Sequence, residues 1–137
     1  MIRLGGSEKR HDHPGDVQGR TRVVQWCFAA VSTILPTLLC IDIIEIFDTG
    51  KAAQKLHAEV PKLARRWLGD IERRLEDREW IACADFTAAD IVMAGVLRTI
   101  RKTDLMEPFP RIEAYYGAVS RAPPGSAPSA FTPSDSA

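Results

Sequence analysis

Cysteine, strand patterning and an excess of charge are all scarce in this chain, and each shortage removes a class of protein. Its 137 residues hold three cysteines. Cys27, Cys40 and Cys83 form neither a C-x-x-C pair nor a zinc-ligand spacing, which excludes a dithiol redox centre and a zinc-built fold. An odd number of thiols does not suit a disulfide framework. Met1-Ile2-Arg3-Leu4-Gly5 opens without the apolar stretch of a secretion signal, so the expected compartment is the reducing cytoplasm. Lys plus Arg and Asp plus Glu both total 18, for a net charge of zero. A nucleic-acid partner would need a basic excess on one face, and none is expected. No segment alternates as a half-buried strand does, and no internal repeat recurs. His11-Asp12-His13 offers two imidazoles and a carboxylate. In a Gly/Pro-flanked arm without a further ligand it reads as an incidental exposed triplet, and no metal site is expected. His57 stands alone on a polar stretch and is given no role.

What the chain does have is helical periodicity. Residues 1–19 read as a flexible arm and residues 123–137, with Pro123, Pro124, Pro128 and Pro133 among small residues, as a disordered tail. That leaves roughly 100 residues, 20–122, enough for one modest core. A first long helix is expected from Gly19 or Thr21 to about Phe47, bent or broken at Pro36. A second is expected to start after Gly50, interrupted at Pro61. From Lys62 the spacing of Leu63, Ala64, Trp67, Leu68, Ile71 and Leu75 marks one buried stripe. Arg65, Arg66, Glu72, Arg73 and Glu76 take the other side as a solvated face. A short helix through Ile112, Tyr115, Tyr116 and Val119 follows Pro110. Cys27 and Cys40, inside an apolar helix, read as small hydrophobes.

The most specific signal is Phe86-Thr87-Ala88-Ala89-Asp90-Ile91. Thr87 is placed to N-cap a helix by accepting from the Asp90 N–H, while Asp90 reaches back to the N–H of Thr87. Phe86 and Ile91 have the spacing of a hydrophobic staple. The carboxylate would lie at the positive end of the helix dipole. Ile91-Val92-Met93-Ala94-Gly95-Val96-Leu97 has no polar face, so the capped helix, to about Lys102, is expected to be central and buried on all sides.

This segment, preceded by Leu75-Glu76-Asp77-Arg78-Glu79-Trp80-Ile81-Ala82-Cys83-Ala84-Asp85, resembles the C-terminal helical domain of glutathione transferases of the bacterial type. The resemblance runs back to Arg22-Val23-Val24-Gln25-Trp26 and on through Thr103-Asp104-Leu105 to Ile112-Glu113-Ala114-Tyr115. It implies an all-α bundle over residues 20–122. It also implies that the first helix lines the pocket for an electrophilic substrate and contributes to a dimer contact. Arg22, Gln25, Trp26, Ala29 and Ser32 share one face at three-four spacing and are the candidate substrate-binding residues. The family's turn commonly has Gly where Cys83 stands.

Glutathione is implied by the resemblance alone. The family binds it mainly through an N-terminal thioredoxin-like domain, for which residues 1–19 offer no substitute. No catalytic or cofactor-binding residue is therefore carried over, and the chain by itself is expected to be inactive. Its expected partners are a thioredoxin-like domain or further copies of itself. The alternatives are a noncatalytic interaction or oligomerisation module, or a truncated gene product. A further alternative is a single membrane span through 23–41, a stretch without charge. Gln25, Ser32, Thr33, Pro36 and Thr37 within it favour a core helix and no membrane association.

Overall fold

The computed structural model describes residues 15–46 and 50–122, and all regular structure among them is helical. The arm expected over residues 1–19 lies outside the described residues as far as position 14, and so does the whole tail expected over 123–137. The first helix starts earlier than its apolar pattern suggests, because Asp16 caps it. The Asp16 side chain accepts from the Val17 N–H at 2.8 Å, and α1 runs Val17–Ala29. A π-turn over Ala30–Ile34 follows, and α2 continues from it over Leu35–Ile46.

Pro36 thus neither breaks nor ends the run. A proline in an α-helix clashes with the carbonyl four residues back and leaves that carbonyl without its donor. The turn before Pro36 is widened: the Leu35 N–H reaches the Ala30 carbonyl five residues back. The hydroxyls of Ser32 and Thr37 donate to the carbonyls of Phe28 and Thr33, the latter at 2.8 Å.

Pro61 is tolerated as well. Helix α3 is continuous over Lys51–Arg74 with Pro61 inside it. The interruption expected there is corrected, because Ala64, Leu68 and Ile71 are buried just beyond. Burying them against the bundle offsets the roughly 3 kcal/mol that an interior proline costs. The stripe expected on α3 holds for Ala64, Leu68, Ile71 and Leu75, whereas Leu63 is 43% exposed and Trp67 half-buried.

Helix α4 spans Ala88–Arg98, after which the chain passes through single turns to a 3₁₀ turn at Asp104–Met106 and then α5 at Pro110–Arg121. Helix α1 packs on α4, α2 on α3, and α5 against both α3 and α4. One cluster fills the space between them, with Ala30, Ile34, Leu38, Leu68, Ile71, Ile81, Met93, Leu97 and Ile112 at its centre.

Two expectations about this interior are corrected. Helix α4 is not enclosed on all sides: Met93, Val96 and Leu97 are buried, but Ile91 is 52% exposed and Gly95 is exposed. Cys40 is exposed and Cys27 half-buried, so only Cys83 is a buried thiol. The solvated face of α3 also has an exception in Glu72. Its carboxylate accepts from the backbone N–H groups of Arg111 and Ile112 at 3.1 and 3.0 Å. These are orphan donors at the start of α5, where Pro110 occupies the first turn and a negative charge is favoured.

Candidate functional site

Two places bear on function: the buried cap of α4, and the flank of α1 that carries the candidate ligand residues. The cap is built around Asp90, which is fully buried. The sequence spacing predicts a capping box, and α4 has one. Its shorter arm is the Thr87 N–H donating to Asp90 Oδ2 at 2.8 Å, while the Asp90 N–H donates to the Thr87 carbonyl at 3.0 Å. The Thr87 hydroxyl lies 3.4 Å from the same Oδ2.

The other carboxylate oxygen serves two distant segments. Oδ1 accepts from the Ile81 N–H at 2.9 Å and from the Tyr115 hydroxyl at 2.7 Å. A buried charge is tolerated only when its lone pairs are met by donors, and here donors from three segments converge. Burial first, and then the charge and hydrogen bond of Asp90, push the Tyr115 phenol well above its ordinary range. Phe86 lies edge-on to Trp80 with ring centroids 5.0 Å apart, while Ile91 faces outward. The outer pair of the expected staple is thus divided between a ring contact and the surface.

Arg74 joins this node to α1. Its guanidinium donates to the carbonyls of Ile81 and Ala82 at 3.0 and 3.3 Å and sits 5.6 Å from the centroid of Trp26. Cys83 adds a second tie, its thiol 3.6 Å from the Gly19 carbonyl in α1. That thiol is buried and lies against α1.

On α1, Arg22, Trp26 and Ala29 are half-buried and share one flank, with Gln25 exposed beside them and Ser32 exposed in the π-turn that follows. Trp26 packs against the core cluster. The Ser32 hydroxyl donates to the Phe28 carbonyl, so its hydrogen is already engaged. Burial, then the charge of Asp90, raise the Cys27 thiol above its ordinary value. It is therefore held as a thiol at neutral pH and is not an activated nucleophile.

A separate open cavity of about 310 Å³ is lined by Leu75, Arg78, Glu79, Arg111, Ala114, Tyr115 and Ala118, and none of the five candidate substrate residues borders it. Among the described residues no group of three metal-type ligands comes together. Sequence reasoning missed Glu72, Arg74 and Tyr115. All three act across the fold, and nothing local distinguishes Glu72 and Arg74 from solvated charges.

An all-α bundle with a buried Thr-x-x-Asp cap at its centre defines a class of helical domain, and comparison with known families narrows it. Residues 54–118 match the family model for the glutathione S-transferase C-terminal domain. The segment from α3 through most of α5 belongs to that family. The match takes in Asp90, Arg74 and Tyr115 but stops short of α1 and α2, where the candidate substrate residues lie. No curated protein matches the chain.

Proposed function

We propose that this chain acts as the helical half of a glutathione transferase. In this reading it supplies one wall of the pocket for an apolar electrophile and an apolar face for assembly, and it conjugates nothing by itself. The observation that carries the proposal is the long first helix. Val24, Phe28, Val31, Leu39, Ile43 and Ile46 are exposed along it, although the same run of helix packs on α3 and α4. A helix held by the bundle on one side and apolar on the other is shaped to be covered. Arg22, Gln25, Trp26 and Ala29 border that face, and Ser32 contributes surface there.

The chemistry of conjugation supports the second half of the proposal. Thiol attack requires the thiolate, and therefore a donor that lowers the thiol's pKa. The Tyr115 hydroxyl is engaged with Asp90, and Cys27 is shifted away from ionisation. A thioredoxin-like domain is the natural source of the missing donor, and three thiols outside any disulfide suit the cytoplasm.

The exposed face also favours a second reading, a noncatalytic assembly module. A bilayer span is disfavoured despite the helix's length and apolarity, because Ala30, Ile34 and Leu38 would have to leave the core they fill. The test is glutathione conjugation to an aryl halide. The chain alone should match the uncatalysed rate, and adding a thioredoxin-like domain from a bacterial transferase should raise it. Conjugation above background by the chain alone overturns the reading.

A further inference from the structure

The open cavity between the last turn of α3 and α5 lies apart from the α1 flank, and the proposed function makes no use of it. Its floor is apolar. Leu75 and Tyr115 are both buried there. The Tyr115 hydroxyl is turned inward to Asp90 at 2.7 Å, so the phenol lends the cavity its ring. Ala114 and Ala118, one turn apart on α5, are short enough to leave the space open. A volume of about 310 Å³ lies at the small end of ligand sites and suits a molecule of about a dozen heavy atoms.

Ionic groups of both signs line the same cavity. Nη1 of Arg111 is 3.8 Å from a carboxylate oxygen of Glu72 and of Glu76, beyond hydrogen-bond distance, so its donors remain available. Arg78 is half-buried, and Glu79 is exposed and in no ion pair among the described residues.

We infer that this cavity binds a free α-amino acid with an apolar side chain, of the size of phenylalanine or leucine. The side chain covers Leu75 and the Tyr115 ring. The α-carboxylate takes N–H donors from Arg111 and Arg78, and the α-ammonium faces Glu79. The charges decide the class of ligand. A simple carboxylate would meet Glu79 with like charge, and a simple amine would meet two guanidinium groups. A neutral hydrocarbon would desolvate all three without replacing their water. A zwitterion beside an apolar body gives each group its opposite.

Nuclear magnetic resonance titration of the isotope-labelled full chain tests this, using three ligands that share one ring. L-Phenylalanine should shift the amides of Leu75, Glu79, Ala114 and Ala118 saturably, with a Kd of roughly 1 mM for a ligand of this size in an open site. Hydrocinnamate, which lacks the ammonium, should bind about threefold more weakly. Phenethylamine, which lacks the carboxylate, should bind about tenfold more weakly. Glu79→Gln should remove the preference for phenylalanine over hydrocinnamate, whereas Arg111→Gln should weaken both about tenfold. Ala114→Trp, at an exposed position, should fill the cavity and abolish binding with an unchanged Tm.

The inference is overturned by the absence of a saturable shift from phenylalanine up to about 10 mM. Hydrocinnamate binding as tightly as phenylalanine overturns it as well, and so does a preference that survives Glu79→Gln. Shifts that persist in Ala114→Trp, or that fall on the α1 flank, place the ligand elsewhere and have the same effect. Conjugation with a thioredoxin-like domain is read separately, so either proposal can fail while the other stands.

Discussion

Replacing Asp90 with alanine removes one side chain and strands three donors. The Thr87 N–H, the Ile81 N–H and the Tyr115 hydroxyl all lose an acceptor. Leaving a buried donor unmet costs about 1–3 kcal/mol each. Part of that sum is returned, because the desolvation of a buried carboxylate is no longer incurred and the loop around Ile81 can relax toward water. The net loss expected for Asp90→Ala is about 4 kcal/mol, well above the roughly 1 kcal/mol of an ordinary exposed N-cap. For a domain of this size that is a large share of the total stability and lowers Tm by about 15–30 °C. Asp90→Asn keeps the shape and one acceptor oxygen but turns an amide N–H toward donors, and should lose about 2 kcal/mol. Urea unfolding followed by circular dichroism at 222 nm provides the assay, with the midpoint compared at constant slope. A loss below about 1 kcal/mol for Asp90→Ala would refute the convergence of three segments on one carboxylate.

Other perturbations probe the remaining contacts. The folded-state pKa of Tyr115 is raised, so its contribution is whole below about pH 10 and is lost as the pH rises beyond, where the unfolded chain ionises first. Wild type should therefore lose about 1.4 kcal/mol per pH unit more than Tyr115→Phe above that point in alkaline urea titrations; parallel curves would contradict this. Glu72→Ala should cost about 1–2 kcal/mol and speed amide exchange at Arg111 and Ile112, since both N–H groups lose their acceptor. Arg74→Ala should cost about 2 kcal/mol and change the near-ultraviolet circular dichroism of Trp26, because two carbonyls and a ring lose the same guanidinium. With a thiol reagent at neutral pH, exposed Cys40 should react first, half-buried Cys27 slowly and buried Cys83 only on unfolding. Equal rates would show that the bundle is loose.

The parts legible in the sequence were those encoded locally. Thr87 and Asp90 are three residues apart, so the cap can be read from a segment without knowing what surrounds it. The same is true of the stripe through Ala64, Leu68, Ile71 and Leu75. What Asp90 does beyond its own helix could not be read, because Ile81 and Tyr115 reach it through tertiary packing. Glu72 and Arg74 carry the signature of surface charges, and only the fold turns them toward α5 and the loop before α4. Pro61 misled for a related reason, while the helix is distorted at the turn before Pro36. Proline weakens a helix by a fixed local amount, whereas the burial that outweighs it at Pro61, and the π-turn that accommodates Pro36, depend on neighbours and on backbone adjustment. Ile91 and Leu63 show that apolar composition predicts a tendency to be buried, not the presence of something to bury against.

The candidate site divides along the same line. Spacing places Arg22, Trp26 and Ala29 on one flank of α1, and the structure shows them there. Their role toward a ligand depends on a second wall, which no periodicity within α1 can describe.

The central claim is that these helices provide a scaffold and a surface but no thiol site. Calorimetric titration of the folded chain with glutathione addresses that claim most directly. The account predicts no saturable heat through millimolar ligand, with the helical circular dichroism intact. Saturable binding, abolished by a substitution on the α1 flank such as Arg22→Ala, would contradict it and place a glutathione site within the helical domain itself.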